Sequence, residues 1–298
     1  MKILLFGANG QVGWELKDRL APFGEVLALT RQGENGYIGD LSDLKGILST
    51  ILNFQPNLVF NAAAYTAVDR AEDETDVAIR INAEAPTKMA QACRECNALL
   101  VHYSTDYVYQ GSGSKPWVET DDIAPLNSYG KSKALGEFGI QNSGCRHLIF
   151  RTSWVYGLHG NNFVKTMLWL AKTHKSLSIV SDQFGAPTSA SFIAQLSTVV
   201  ALRCLKERAI EGIYHLVPTG YVNWSDFART IFRQMQHIHG GESVEVNDIL
   251  TAEYKAKANR PLNSRLSNQK LQSVLPKDCI KDWQYYLERD LSVLLEGK

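Results

Sequence analysis

An apolar run that stops at a glycine-studded turn and restarts as a helical pattern constrains this chain more than any other feature. Lys2-Ile3-Leu4-Leu5-Phe6 leads into Gly7-Ala8-Asn9-Gly10-Gln11-Val12-Gly13, and residues 11–20 continue with helical spacing of apolar positions. A turn this tight requires residues without Cβ. One glycine makes the turn, a second lets a phosphate approach the backbone, and a third lets the helix pack on the strand. The helix N-terminus then presents unpaired N–H groups to an anion. Between a strand and a helix, the Gly-x-x-Gly-x-x-Gly spacing of Gly7, Gly10 and Gly13 points to a dinucleotide held at Gly10, Gln11 and Val12.

The same alternation recurs. Residues 25–30, 58–61, 98–104 and 147–152 read as buried strands because each is a nearly continuous apolar run. Residues 41–52, 75–95 and 128–141 read as helices between them. Parallel strands need such crossovers, so the fold class is α/β, a Rossmann-type doubly wound parallel sheet. Further on, 162–172, 191–206, 224–237 and 283–295 read as helices, with 177–180 and 213–217 extended. Residues 239–276 read as polar and irregular. We expect a dinucleotide-binding domain over 1–155, its sheet completed by parts of 177–217. A smaller mixed α/β substrate lobe over 156–298 is expected to interleave with it.

Composition closes off several function classes. Lysine plus arginine balances aspartate plus glutamate at 31 each, which gives no general attraction to nucleic acid or an anionic membrane. No apolar run reaches the roughly 18–20 residues needed to span a bilayer. The N-terminal run ends at Gly7, short of the about 7–15 residues of a signal core, so a cytoplasmic location is the expectation. Five cysteines at scattered positions argue against a disulfide framework. Cys93 and Cys96 form a pair without a second pair or a histidine cluster and read as core residues, as does His102. Trp283, Tyr285 and Tyr286 read as packing residues of the last helix.

The second strand ends in Thr30-Arg31-Gln32 without the acidic residue that usually takes a ribose 2′-hydroxyl. Arg31 could accept a 2′-phosphate, which favours NADPH and leaves NADH open. Asp40 and Leu41 suit the adenine edge, and Asn61-Ala62-Ala63-Ala64 is small enough for a ribose or phosphate to lie close to the backbone.

Tyr129 and Lys133 stand four apart at the start of a helix, on one face. A free phenol has a pKa of about 10, and a neighbouring ammonium together with the cationic nicotinamide is expected to lower it toward working pH. The strand over 98–104 runs into Thr105 and Asp106, whose side chains would emerge at its carboxyl end. Thr105 could polarise a carbonyl beside Tyr129, and Asp106 could hold a sugar hydroxyl.

On these residues the chain resembles the dTDP-4-dehydrorhamnose reductases, within the extended short-chain dehydrogenases. The matching segments are Gly7–Gly13, Asn61–Asp69, His102–Tyr109, Ser128–Lys133, Phe150–Tyr156, Gly160–Met167, Asp182–Thr188 and Arg260–Leu266. The resemblance implies that Tyr129 donates a proton, Lys133 activates it and Thr105 binds the carbonyl. It implies cofactor contacts at Gly10–Val12, Asp40, Leu41, Ala64, Tyr65, Thr66 and Tyr103, beside Ala63. Thr105, Asp106 and Trp154 would meet a nucleotide-sugar substrate, with Asn162, Phe163 and Arg260 as further candidates from the matching segments. Related dehydratases carry glutamate after the aspartate; Tyr107 stands there and favours reduction. The implied activity is NADPH-dependent reduction of the C4 ketone of dTDP-4-dehydro-L-rhamnose for cell-surface polysaccharide, by a monomer or homodimer. A 4-epimerase and a non-catalytic dinucleotide-binding regulatory subunit remain alternatives. The family is also associated with Mg2+ held between subunits by glutamates. Glu15 matches, but Ser191 and Val293 stand where acids are needed, which argues against a metal here.

Overall fold

The computed structural model describes residues 1–240 and 243–296. Six of the described strands form one parallel sheet: β1 (Lys2–Phe6), β2 (Glu25–Leu29), β3 (Leu58–Asn61), β4 (Leu99–Thr105), β5 (Arg146–Thr152) and a strand at Gly212–His215. Their spatial order is β2, β1, β3, β4, β5 and then Gly212–His215 at the far edge. The order reverses between β1 and β3, and in such sheets ligands bind at that crevice, beyond the carboxyl ends.

Period-two burial explains the layers. Ile3, Leu5, Leu58, Phe60, Val101 and Phe150 face one side, where they pack with Leu16 of α1 (Gln11–Leu20) and Ile193 of a long helix at Ala190–Lys206. Leu4, Phe6, Val59, Leu100 and Ile149 face the other, against Ile47 and Met89. Ile47 belongs to α2 (Leu44–Phe54), and Met89 to a helical run made of α3 (Thr75–Ile79), a π turn (Arg80–Glu84) and α4 (Ala85–Glu95). Pro86 has no N–H for the carbonyl of Asn82, and a π turn falls at that point. Gly136 of α5 (Ser128–Asn142) packs against that same carbonyl, where a Cβ would collide. This seats α5 on the sheet.

A second core joins Tyr156, from a short strand at Val155–Tyr156, with Met167, Phe227, Ile231, Trp283, Leu287 and Leu291 from α6 (Phe163–Leu170), α8 (Trp224–His239) and α10 (Trp283–Glu296). The Ala190–Lys206 helix named above is α7, and α9 is a short helix at Gln269–Ser273.

Several sequence expectations change. α2 starts at Leu44 rather than residue 41, because Asp43 caps it by accepting from the Gly46 N–H at 2.9 Å. Ser176–Val180 lies outside the large sheet and pairs in parallel with Glu245–Ile249. The latter strand sits inside the stretch read as irregular, as does α9; its sequence, Glu-Val-Asn-Asp-Ile, is too polar and exposed to show a strand pattern. Tyr285 is exposed, whereas Trp283 and Tyr286 are buried as expected. Among the described residues no helix is long and apolar enough to cross a membrane.

A Cβ on Gly13 would run into the Gly7 carbonyl, with backbone on both sides of the clash. Gly13→Ala should therefore cost about 1–3 kcal/mol, read as a lower urea midpoint. An unchanged midpoint would show that α1 does not depend on this approach.

Candidate active site

The glycine turn is fixed by backbone bonds. Gly7 N–H and Ala8 N–H both donate to the Leu29 carbonyl, at 2.9 and 3.0 Å, and Gly10 N–H donates to the Gly7 carbonyl at 2.9 Å. Gly7 takes φ +80°, and a Cβ there would lie 2.6 Å from the Ala63 nitrogen. Gly10 caps α1 without a side chain, which leaves the first N–H groups of the helix open to a ligand.

These groups border a cleft of about 570 Å³ at the carboxyl edge of the sheet. One end is walled by Gly7, Gly10, Gln11, Val12, Arg31, Asp40 and Leu41, and the middle by Ala63, Ala64, Tyr65 and Thr66. Tyr103, Tyr129 and Lys133 close the other end. Gly13 stays behind the wall as the packing glycine. Arg31 is ion-paired with Asp40 at 3.2 Å, and Ser42 donates to the same carboxylate through N–H and hydroxyl. Burial opposes the Asp40 charge, but these bonds and the arginine win and hold its pKa below the usual value.

Sequence reasoning missed several wall residues. Asn161 and Gly160 reach the cleft from a loop whose His159 stacks on Trp14 at 4.3 Å. Ser104 and Thr152 reach it from adjacent strand ends, and each keeps a buried hydroxyl without a protein partner. Asn82, in the π turn, clamps the Tyr65 backbone from both sides at 2.9 Å and donates to Ser132 at 3.0 Å. A Ser and a Thr at strand ends could have been read from the chain; the Asn82 clamp depends on the π turn and could not.

Tyr129 follows the helix cap Asn127, which accepts from the Gly130 N–H at 2.8 Å. Its hydroxyl lies close enough to Thr105 for that hydroxyl to ease the phenol's ionisation, and its ring meets Tyr107 edge-on at 5.6 Å. Thr105 donates to Asp106 Oδ1 at 3.0 Å, while Asp106 Oδ2 is buried without a partner. Lys133, 2% exposed, donates from Nζ to the Tyr103 carbonyl at 2.6 Å.

The electrostatics differ from the sequence expectation. Burial pushes the Tyr129 phenol up, with Asp106 and Tyr107 adding to the rise and Thr105 opposing it. Burial also brings Lys133 down to about 8, against an opposing pull from Glu137. The ammonium is turned to a carbonyl, so it does not offset the cost of burying a phenolate in the free protein.

The substrate candidates are not gathered in one place. Thr105 and Asp106 sit beside Tyr129. Trp154, at φ +48°, stacks on Trp224 at 3.7 Å, and Gly185 leaves room for its ring. Phe163 belongs to the second core, stacked on Phe227 at 5.4 Å, so its ring is committed to packing. Asn162 caps α6 and donates to Gln11 and to the Gly157 carbonyl, which ties the second core to the glycine turn. Arg260 is paired with Asp69 at 2.8 Å and lies 3.5 Å from the Tyr107 hydroxyl. The Tyr103 phenol points into the core toward Ser197 at 2.7 Å, so the residue meets Lys133 through its carbonyl.

Residues 1–295 match the family described as RmlD substrate binding domain. The chain belongs to that family. The dTDP-4-dehydrorhamnose reductase of Escherichia coli (strain K12) is 44% identical over 299 residues, covering 99% of this chain and 98% of that protein. A crystal structure of a dTDP-4-dehydrorhamnose reductase from Clostridium acetobutylicum matches with a TM-score of 0.89 at 37% identity, over 99% of both chains. One from Bacillus anthracis, in complex with NADP, matches with a TM-score of 0.87 at 33% identity, over 97% of this chain and 98% of that one.

A metal does not suit the residues present. Among the described residues no three His, Cys, Asp or Glu side chains converge to hold an ion. Glu15 lies 3.5 Å from the guanidinium of Arg19, which also donates to Ser191 at 2.7 Å, so a fixed cation already occupies its side.

Asp106 carries a pH signature. Burial raises its pKa from 3.8 to about 6, against the opposing pull of the nearby Ser264 and Thr105 hydroxyls. The folded chain thus holds this proton more tightly than the unfolded one, a contribution that is full below about pH 4 and lost as pH rises through about 6. Asp106→Asn should gain stability relative to the native chain between about pH 4 and pH 7, by about 1–3 kcal/mol. A difference that stays flat across that range in urea melts would contradict this.

Proposed function

We propose that this chain reduces the C4 ketone of dTDP-4-dehydro-L-rhamnose with NADPH, forming dTDP-L-rhamnose. The observation that carries the reading is the meeting of Thr105 and Tyr129 at one end of a cleft whose other end is the glycine turn. In support stand the extensive likeness to reductases of that name and a relative determined with NADP. The product would feed cell-surface polysaccharide.

The turn and α1 N-terminus would hold the pyrophosphate, Arg31 the 2′-phosphate, and Lys133 a ribose hydroxyl. A reduced nicotinamide, when bound, supplies a hydride. Thr105 would bind the ketone oxygen and orient it toward Tyr129. As C4 gains the hydride, its oxygen gains negative charge and takes the Tyr129 proton. The phenol holds its proton at working pH, as a donor must, but burial makes it a weaker acid, which a neighbouring positive charge has to offset during transfer. Lys133 then faces a phenolate one helical turn away and stabilises it. Asp106, with its free Oδ2, would receive a sugar hydroxyl. Residues 1–155 would hold the dinucleotide, and the lobe from 156–298 the sugar nucleotide, with Trp154 against it.

The test is NADPH oxidation with enzymatically prepared dTDP-4-dehydro-L-rhamnose. Tyr129→Phe should lower kcat by about 10²–10⁴-fold with NADPH affinity intact; full turnover in that variant would end the proposal. Arg31→Ala should weaken NADPH about tenfold and leave NADH unchanged, a loss of one charged contact to phosphate. Equal loss with both cofactors would remove Arg31 from the 2′-phosphate.

A further inference from the structure

Running back from the cleft, Lys133 begins a file of three buried polar side chains from three elements, of which His102 and Asn61 have no role above. Lys133 Nζ of α5 lies 3.3 Å from His102 Nε2 of β4. His102 Nδ1 lies 3.1 Å from the side-chain amide of Asn61 on β3, its register partner across the sheet. Asn61, His102 and Lys133 are 1%, 0% and 2% exposed, so water does not take over their bonds. A charged ring here would face the ammonium across 3.3 Å with no carboxylate on it. Burial, and then Lys133, hold His102 well below its usual pKa.

A neutral imidazole has one N–H and one lone pair, and a lysine ammonium has three donors and no acceptor. Nε2 must therefore offer its lone pair to Lys133, which puts the ring proton on Nδ1. That tautomer needs the Asn61 carbonyl at Nδ1, whereas the amide now sets Nδ2 3.1 Å from Nδ1 and its Oδ1 accepts from the Ala63 N–H at 3.3 Å; turning the amide over completes the file at the expense of that long bond. One Lys133 N–H goes to Tyr103, one to His102, and the third is left for the cleft.

We propose that His102 is a positioning residue of the active site: its Nε2 lone pair holds Lys133 as an ammonium with one donor directed into the cleft. The inference rests on the reductase reading for the use of that ammonium, but the His102–Lys133 pairing stands on geometry. The other groups facing Lys133 are accounted for. Tyr129 shares its helix face, and Glu137, one turn on, is bound by Arg151 of β5 at 2.6 Å. Of the two described groups within hydrogen-bond reach of Nζ, the Tyr103 carbonyl and His102, only the ring has a lone pair that depends on a tautomer.

Two measurements test this on the full chain. In ¹⁵N spectra of histidine-labelled protein without ligand, His102 should be the neutral Nδ1–H tautomer at about pH 6. An Nε2–H tautomer, or a ring that titrates near its free value, would overturn the proposal, whatever the protein turns out to reduce. The second compares His102→Gln, which keeps an acceptor within reach of Nζ, with His102→Leu, which removes it. In Leu, the pH above which NADPH affinity falls, followed by fluorescence, should move down by about one unit, and in Gln it should stay near the native value. If both variants keep the native midpoint, or both shift alike while folding normally in thermal melts, the role is structural and the proposal fails. Absence of ketosugar turnover in the native chain, with the tautomer as predicted, would count against the reductase reading alone.

Discussion

Parallel pairing of six strands sends all their carboxyl ends to one edge, and every group at the cleft depends on that alignment. In register, Phe6 stands beside Asn61, Asn61 beside His102, and Thr105 beside Thr152. The glycine turn leaves β1 at this edge, and Thr105 is the last residue of β4. A slip of one residue in any pairing would turn the outward side chains over. Sheet register thus positions the chemistry more firmly than any local contact at the site.

The helix α5 adds the second constraint. It is pressed onto the sheet through Gly136 against the π turn, and Asn82 in that turn holds both Tyr65 and Ser132. Tyr129 arrives half-buried and Lys133 buried as a result, and loss of water around them sets their protonation. The phenol is kept protonated and the amine is brought toward neutrality. These shifts follow from removing charge from water, with nearby groups making adjustments. A lysine in that condition depends strongly on its remaining partners.

Much of this was legible in the chain because it is local. Near-continuous apolar runs mark buried parallel strands, and Gly7, Gly10 and Gly13 mark a turn that other residues cannot make. Tyr129 and Lys133 are four apart on one face by helical geometry alone. What escaped depends on partners distant in sequence. Asp43 rather than Asp40 caps α2, because Asp40 is occupied by Arg31 and Ser42. The strand Glu245–Ile249 is too polar to betray itself, and the packing of Phe163 on Phe227 of a helix 64 residues on leaves no local mark. Without a cofactor in place, burial governs the Tyr129 phenol and pushes it up. Proximity of Lys133 was visible, but its commitment to the Tyr103 carbonyl was not.

The account joins a cleft that receives a dinucleotide to a phenol that delivers a proton to a neighbouring ketone. Isotope transfer tests that union most directly. With NADPH carrying deuterium at nicotinamide C4 on the transferred face, the label should appear at C4 of the sugar, one deuterium for each cofactor oxidised. An unlabelled product, or sugar that changes configuration without net consumption of NADPH, would contradict the account.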